Sequence, residues 1–261
     1  MRKGISQMAD LYHLELNRRM IKGAATVLMP GDPGRVEPIA RAIATATGGL
    51  ALPLASNREF TTFLSGTRDN PVLVTSTGIG GPSTSIAVDE LAQIGVKTFI
   101  RVGTTGAIQA HIRTGDCIIT TGAVRLDGAS THYAPIEYPA VAHFECVLAL
   151  KKSADKHGVR AHTGVTASSD TFYPGEERTD AYRKYVLRRF RGATEEMRQL
   201  HVLGYEMEAS TLFTMTASMG LRGGCVTGVV NRGSTGKVTK AALAQGAANA
   251  IKVAAGVLEF L

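Results

Sequence analysis

The alternation of short apolar runs with helix-like stretches constrains this chain more than any other feature. Strand-like runs fall at residues 26–29, 72–77, 98–102, 117–124, 163–166 and 225–230. Helix-like stretches lie between and after them, at 34–47, 82–94, 142–157, 179–190, 208–219 and 239–259. A strand returns parallel to its neighbour only through a crossover, for which a helix is the usual element. The alternation therefore predicts an α/β fold, a largely parallel sheet with helices on both faces. No linker, low-complexity run or internal repeat divides the 261 residues, so one domain over 1–261 is expected. In such sheets ligands collect at the carboxyl ends of the strands, and chemistry is to be sought in the turns that follow them.

Composition narrows the class. With 44% hydrophobic and 20% charged residues, no Trp and 29 Gly, the chain suits a tightly wound globular core. It carries a net charge of +7, which fits nucleic acid, an anionic membrane or a small anionic ligand. The basic residues are dispersed except in YRKYVLRRFRG, residues 182–192. There the spacing predicts a helix with a solvated basic face, without a nucleic-acid-binding signature. Cys117, Cys146 and Cys225 are far apart and odd in number, which points to reduced thiols in a cytoplasmic protein. No apolar leader opens the N-terminus, and no uninterrupted apolar run reaches the roughly 18–20 residues of a membrane span. Neither membrane nor nucleic acid is expected as a partner.

The turns carry the chemistry. The first strand ends in MPGDPGRV, residues 29–36, where Gly31 allows close backbone approach. Arg35 opens the next helix, whose free amides favour an anion; alone, the stretch also reads as an ordinary glycine–proline turn. In FIRVGTTGAI, residues 99–108, Arg101 interrupts an apolar strand. A guanidinium placed there needs an anionic partner. The turn expected at Thr104, Thr105 and Gly106 offers hydroxyls and amides beside it. Arg58, in ASNREFTTF, is a third arginine that would complete a cationic cup for a small dianion. TASSDTFYPGEERTD, residues 166–180, places Phe172 and Tyr173 before Glu176, Glu177 and Arg178. It reads either as a cradle for a planar heterocycle or as a solvated turn. GYEMEASTLFTMTASMG, residues 204–220, opens a helix with Glu206 and Glu208 around Met207. First-turn acids suit the helix dipole, while one of them gripping a polyhydroxylated ligand is the other reading.

Taken in order, PGDPGRV, ASNREFTTF, STGIGGPSTSIAVDELAQIG, RVGTTGAIQ, VRLDGAS, VTASSDTFYPGEER and GYEMEAS resemble the nucleoside phosphorylase-I family, and its uridine-cleaving members most. The resemblance runs from about Tyr12 to Asn231 and weakens beyond. It implies a three-layer α/β/α domain with a central mixed, largely parallel sheet. It also implies a hexamer built as a trimer of dimers, acting on uridine with inorganic phosphate as co-substrate and no organic cofactor. Gly31, Arg35, Arg101 and Thr104 match the phosphate site, with Arg58 reaching in from a neighbouring subunit. His13 matches a cross-subunit contact to the ribose 5′-hydroxyl, and Thr104, Met207 and Glu208 match the ribose site, with Glu206 as acidic partner. Thr105, Gly106, Phe172, Glu176 and Arg178 match the base site. Glu59, Ile79 and Ser83 match a monovalent-cation site, for which potassium is expected; an ordinary ion pair for Glu59 is the other reading.

The implied chemistry is phosphorolysis without a covalent protein intermediate. Phosphate held by Arg35, Arg58 and Arg101 lies against C1′, and Arg178 stabilises the departing base, so that Arg35, Arg101 and Arg178 carry catalysis. Purine-cleaving relatives place an Asp after the late strand, where CVTGVVNRGSTG has Asn231 and Arg232. Two departures stand out. Glu176 occupies a position that is Gln in the uridine-cleaving members, and an ionised Glu accepts hydrogen bonds but cannot donate one. It must then be protonated, be paired with Arg178 or Arg232, or shift the base preference towards another nucleoside phosphorylase or a nucleosidase. The segment after Asn231, NRGSTGKV, is shorter than the family insert and would alter a flap over the pocket.

Overall fold

The computed structural model describes residues 10–233 and 238–261. Half of NRGSTGKV, at 234–237, therefore lies outside the described residues. The chain runs β1 (Thr26–Met29), α1 (Val36–Thr47), β2 (Leu50–Asn57), β3 (Phe60–Gly66), β4 (Pro71–Thr75), α2 (Gly81–Ile94) and β5 (Thr98–Ala107). It continues through β6 (Cys117–Leu126), α3 (Phe144–Lys156), β7 (Ala161–Ser169), α4 (Ala193–Gln199), β8 (Gly204–Glu206), α5 (Ala209–Ser218), β9 (Arg222–Arg232) and α6 (Lys240–Gly256).

The strands form one mixed sheet in the order β2-β3-β4-β1-β5-β8-β7-β6-β9. β1 pairs parallel with β4 and β5, and β6 pairs parallel with β7. β9 pairs antiparallel with β6 and parallel with β5, so the second half of the sheet closes on itself. Two apolar cores flank the sheet. Leu91, Leu212 and Phe213 of α2 and α5 fill one side. Ile39, Leu150 and Val253 of α1, α3 and α6 fill the other. The fold is thus α/β, with helices on both faces as the alternation predicts.

Three expectations change. The stretch 179–190 is not a helix: it is a sequence of turns with a short 3-10 turn at Arg188–Phe190. Lys184 sits in the left-handed region at φ +49°, which an α-helix does not tolerate. β5 does not stop at residue 102. It runs to Ala107, so Thr104, Thr105 and Gly106 belong to a strand, not a turn, paired with Gly228, Val229 and Asn231 of β9. The β2–β3 hairpin was not expected from the sequence; its tip carries Arg58 at φ +54°. One segment, Lys240–Glu259, is long and apolar enough to cross a membrane by length and composition. Here its small residues seat it against β9: a Cβ on Gly228 would lie 1.9 Å from the Gly246 carbonyl oxygen.

Candidate active site

The carboxyl ends of β1 and β5 open into a cavity of about 650 Å³, within the usual range for small-molecule sites. A concavity of about 720 Å³ at the outer edge of the sheet is lined by Leu50, Leu52, Leu64 and Pro71, and brings no cluster of acids and arginines together.

Arginine gathers at one side of the first cavity. Met29 at the end of β1 is in register with Arg101 of β5. Beyond Met29, Asp32 accepts from the Gly34 amide at 2.9 Å and starts the single 3-10 turn Pro33–Arg35. That turn aims Arg35 back over β5, where its guanidinium donates to the Val102 carbonyl at 3.4 Å. Gly31 lies under the loop after β4, where a Cβ would meet the Gly78 carbonyl oxygen at 3.0 Å. Burial and the facing Arg101 hold the Arg35 guanidinium below its ordinary pKa. Only Asp32, 3.9 Å away and well exposed, and Glu208 oppose that effect. The result is an excess of positive charge in a partly buried place, which a dianion would relieve.

Arg101 is itself tied to the two acids ahead of α5. Its Nε donates to Glu206 Oε2 at 3.2 Å, and its terminal nitrogen pairs with Glu208. Burial opposes the Arg101 charge, yet Glu208 and Glu206 outweigh it and raise its pKa. The acids divide their work. Glu206 Oε2 accepts from the Glu208 and Ala209 amides at 2.9 and 2.8 Å, capping α5, and its other oxygen accepts from Ser168. Burial keeps the Glu206 pKa raised despite Arg101. Glu208 accepts from the Gly80 amide at 2.7 Å and lines the cavity. A carboxylate has about four acceptor sites, so capacity remains for hydroxyls of a ligand.

The far side holds Phe172 and Glu176. Phe172 is 41% exposed and lines the cavity, with Arg178 over its ring at 4.5 Å. Arg178 itself does not line the cavity: it forks onto Asp180 at 3.0 and 2.8 Å. Arg232 donates to the Ala110 carbonyl at 2.6 Å. Glu176 is 7% exposed, and burial, reinforced by Glu206 and Glu208, pushes its pKa up to about 8 despite Arg178. Neither Arg178 nor Arg232 pairs with it, and its burial favours the protonated form.

Of the sequence-predicted residues, Gly31, Arg35, Arg101, Thr104, Thr105, Gly106, Phe172, Glu176, Met207 and Glu208 come together around this cavity, with Glu59 and Ile79 at its rim. The Thr105 hydroxyl donates to the Tyr205 carbonyl at 2.6 Å, which leaves it acceptor capacity alone for a ligand. Arg58 and His13 do not line the cavity of their own chain. Arg58 is exposed at the hairpin tip. His13 Nδ1 is 2.7 Å from Glu90 of α2, which also accepts the Leu14 amide at 2.9 Å. Ser83 donates to Glu59 at 2.8 Å, and that bond, after one from the backbone, lowers the Glu59 pKa. The Glu59 carboxylate and the Ser83 hydroxyl are hard oxygen donors, of the kind an alkali cation takes, beside Ile79, a residue 74% exposed. Among the described residues no cluster of His, Cys, Asp and Glu suits another metal.

Sequence reasoning missed Gly80, Ser168 and Asp180. Asp180 stands two residues from Arg178, at the start of the turns that replace the expected helix. Ser168 had no local signal, because it meets Glu206 through the parallel register of β7 with β8.

Residues 25–261 match the phosphorylase superfamily. The chain belongs to the phosphorylase superfamily. Within it, the chain is 56% identical over 222 residues to a uridine phosphorylase of Escherichia coli (strain K12), covering 85% of this chain and 86% of that protein. It is 47% identical over 218 residues to a uridine phosphorylase of Thermococcus kodakarensis, covering 84% and 76%. A guanosine phosphorylase of Halorubrum lacusprofundi is 35% identical over 199 residues, covering 76% and 75%. The matched residues of this superfamily member include every side chain of the cavity described above.

Proposed function

We propose that this member of the superfamily catalyses reversible phosphorolysis of uridine, giving uracil and ribose 1-phosphate. One observation carries the reading. A single cavity has two facing guanidinium groups at one side and a buried acid beside an aromatic ring at the other, with Glu208 in electrostatic reach of both. Arg35 and Arg101 suit a phosphate dianion, Glu208 and Met207 a ribose, and Phe172 and Glu176 the flat face and polar edge of uracil. The relatives named uridine phosphorylase, at 56% and 47% identity against 35% for the guanosine enzyme, favour the pyrimidine.

The reaction breaks the bond between C1′ and N1 as C1′ gains positive charge and the base gains negative charge. A phosphate oxygen held against C1′ stabilises that cation and then bonds to it; the protein positions and polarises. For Arg178 to reach the base it must leave Asp180, a rearrangement that base binding would drive.

Further features of this reading are a homo-oligomer, a trimer of dimers in which Arg58 and His13 serve the neighbour's site, and a cytoplasmic location. Potassium would sit on Glu59, Ser83 and the backbone of Ile79 with their counterparts from a second copy, where its charge would hold two hairpin tips together. The decisive assay incubates the protein with uridine, inosine and thymidine, each with and without phosphate, and follows free base. Uracil release that requires phosphate is expected. Equal release without phosphate, or faster cleavage of inosine, contradicts the reading.

A further inference from the structure

The cavity contains one acid whose proton has nowhere else to go. Glu206 and Glu208 are both tied to Arg101 and to backbone amides. Glu176, among the described residues, makes no ion pair and its carboxyl no hydrogen bond, although the side chain is buried and lines the cavity. The cations that might have claimed it are committed elsewhere, Arg178 to Asp180 and Arg232 to the Ala110 carbonyl. The charged and titratable groups in its reach are Arg178 on its own loop, Glu206 and Glu208 ahead of α5, and Tyr205 on β8. Two of these are acids that disfavour a third negative charge, and Tyr205 is buried.

We propose that Glu176 is the general acid of the reaction, passing its proton to a carbonyl oxygen of the pyrimidine as the base departs. This rests on the phosphorolysis reading. The C1′–N1 electron pair moves into the ring, the carbonyl oxygen takes the carboxyl proton, and uracil leaves as its neutral lactim tautomer. A phosphate oxygen bonds to C1′ and Glu176 is left as a carboxylate beside Arg178. Hydrogen phosphate sheds a proton on forming ribose 1-phosphate, and Glu176 regains one from solvent, so the protons balance. Uracil returns to its diketo form in water. A pKa of about 8 lies near the operating pH, as efficient proton transfer requires. A glutamine at this position would donate a hydrogen bond to the same oxygen but transfer nothing.

The test compares wild type with Glu176→Gln on uridine and on 5-fluorouridine, whose base is a stronger acid and leaves with less help. General acid catalysis contributes roughly 10²-fold or more. The variant should therefore lose about 10²-fold in kcat on uridine and under about 10-fold on 5-fluorouridine. In wild type, kcat/KM for uridine should fall as pH rises through about 8, and that limb should vanish in the variant relative to wild type. Ionisation of uridine itself is common to both proteins and cancels in the ratio. Equal losses on both nucleosides, or a pH ratio that stays flat, overturns the proposal. Neither result touches the phosphorolysis reading, which stands or falls on whether wild-type uracil release needs phosphate.

Discussion

At the residue scale, the two arginines do different work and their removal should separate. Arg35 makes one long hydrogen bond and one distant ion pair, so Arg35→Ala should leave the thermal midpoint nearly unchanged. Losing a charged donor aimed at the transition state costs about 2.7–4 kcal/mol, so kcat/KM for uridine should drop 10²–10³-fold. Arg101→Ala strands Glu206 and Glu208 in the interior, and breaking a buried pair costs about 3–5 kcal/mol. That variant should lose both activity and stability, read by denaturant unfolding beside the assay. Glu176 gives a pH signature in stability. Its folded pKa is raised, so its contribution is fully present below the unfolded value of 4.5 and is lost as pH climbs to about 8. Glu176→Gln should match wild type in stability near pH 4.5 and exceed it increasingly up to pH 8, with no further gain above. Arg101 was legible in the sequence because a charge inside an apolar strand demands a partner. The division between Glu208 at the cavity and Glu206 as its acidic partner was legible only through the family resemblance, because the contacts that separate them come from β7 and the Gly80 loop.

At the scale of elements, periodicity read the buried strands and long helices because one face or one stripe of each is apolar. It failed where burial is slight. β2 is an edge strand with an irregularity between Pro53 and Ala55 and little of it buried, so its alternation is blurred. The segment 179–190 has helical spacing, but Tyr182 and Leu187 stay exposed and no apolar stripe is buried to hold a helix. Its side chains stack instead, with Arg191 over Tyr185 at 5.3 Å. β9 and α6 approach closely where glycine meets glycine. Gly228→Ala puts a methyl into the Gly246 carbonyl and should separate the helix from the strand. A loss of about 1–3 kcal/mol or more in unfolding free energy is expected, as for overpacked cores. Unchanged stability would show that α6 is not seated as described.

At the scale of the whole molecule, Arg58 and His13, which the resemblance assigns across a subunit boundary, do not line the cavity of their own chain. The proposed assembly would bring both residues from a second copy, and a mixing experiment tests this directly. Arg58→Ala and Arg35→Ala each abolish activity alone if Arg58 serves the neighbour's phosphate. In randomly reassembled pairs, one site of each mixed pair regains both arginines, restoring about a quarter of wild-type activity. No recovery on mixing would place Arg58 outside the neighbour's site. The central claim is that an inorganic oxyanion, held by Arg35 and Arg101, attacks C1′ of a bound pyrimidine nucleoside. Its most direct test is the sugar product of uridine turnover in the presence of phosphate. Ribose 1-phosphate formed in equal amount to uracil is the predicted result; uracil accompanied by free ribose would contradict it.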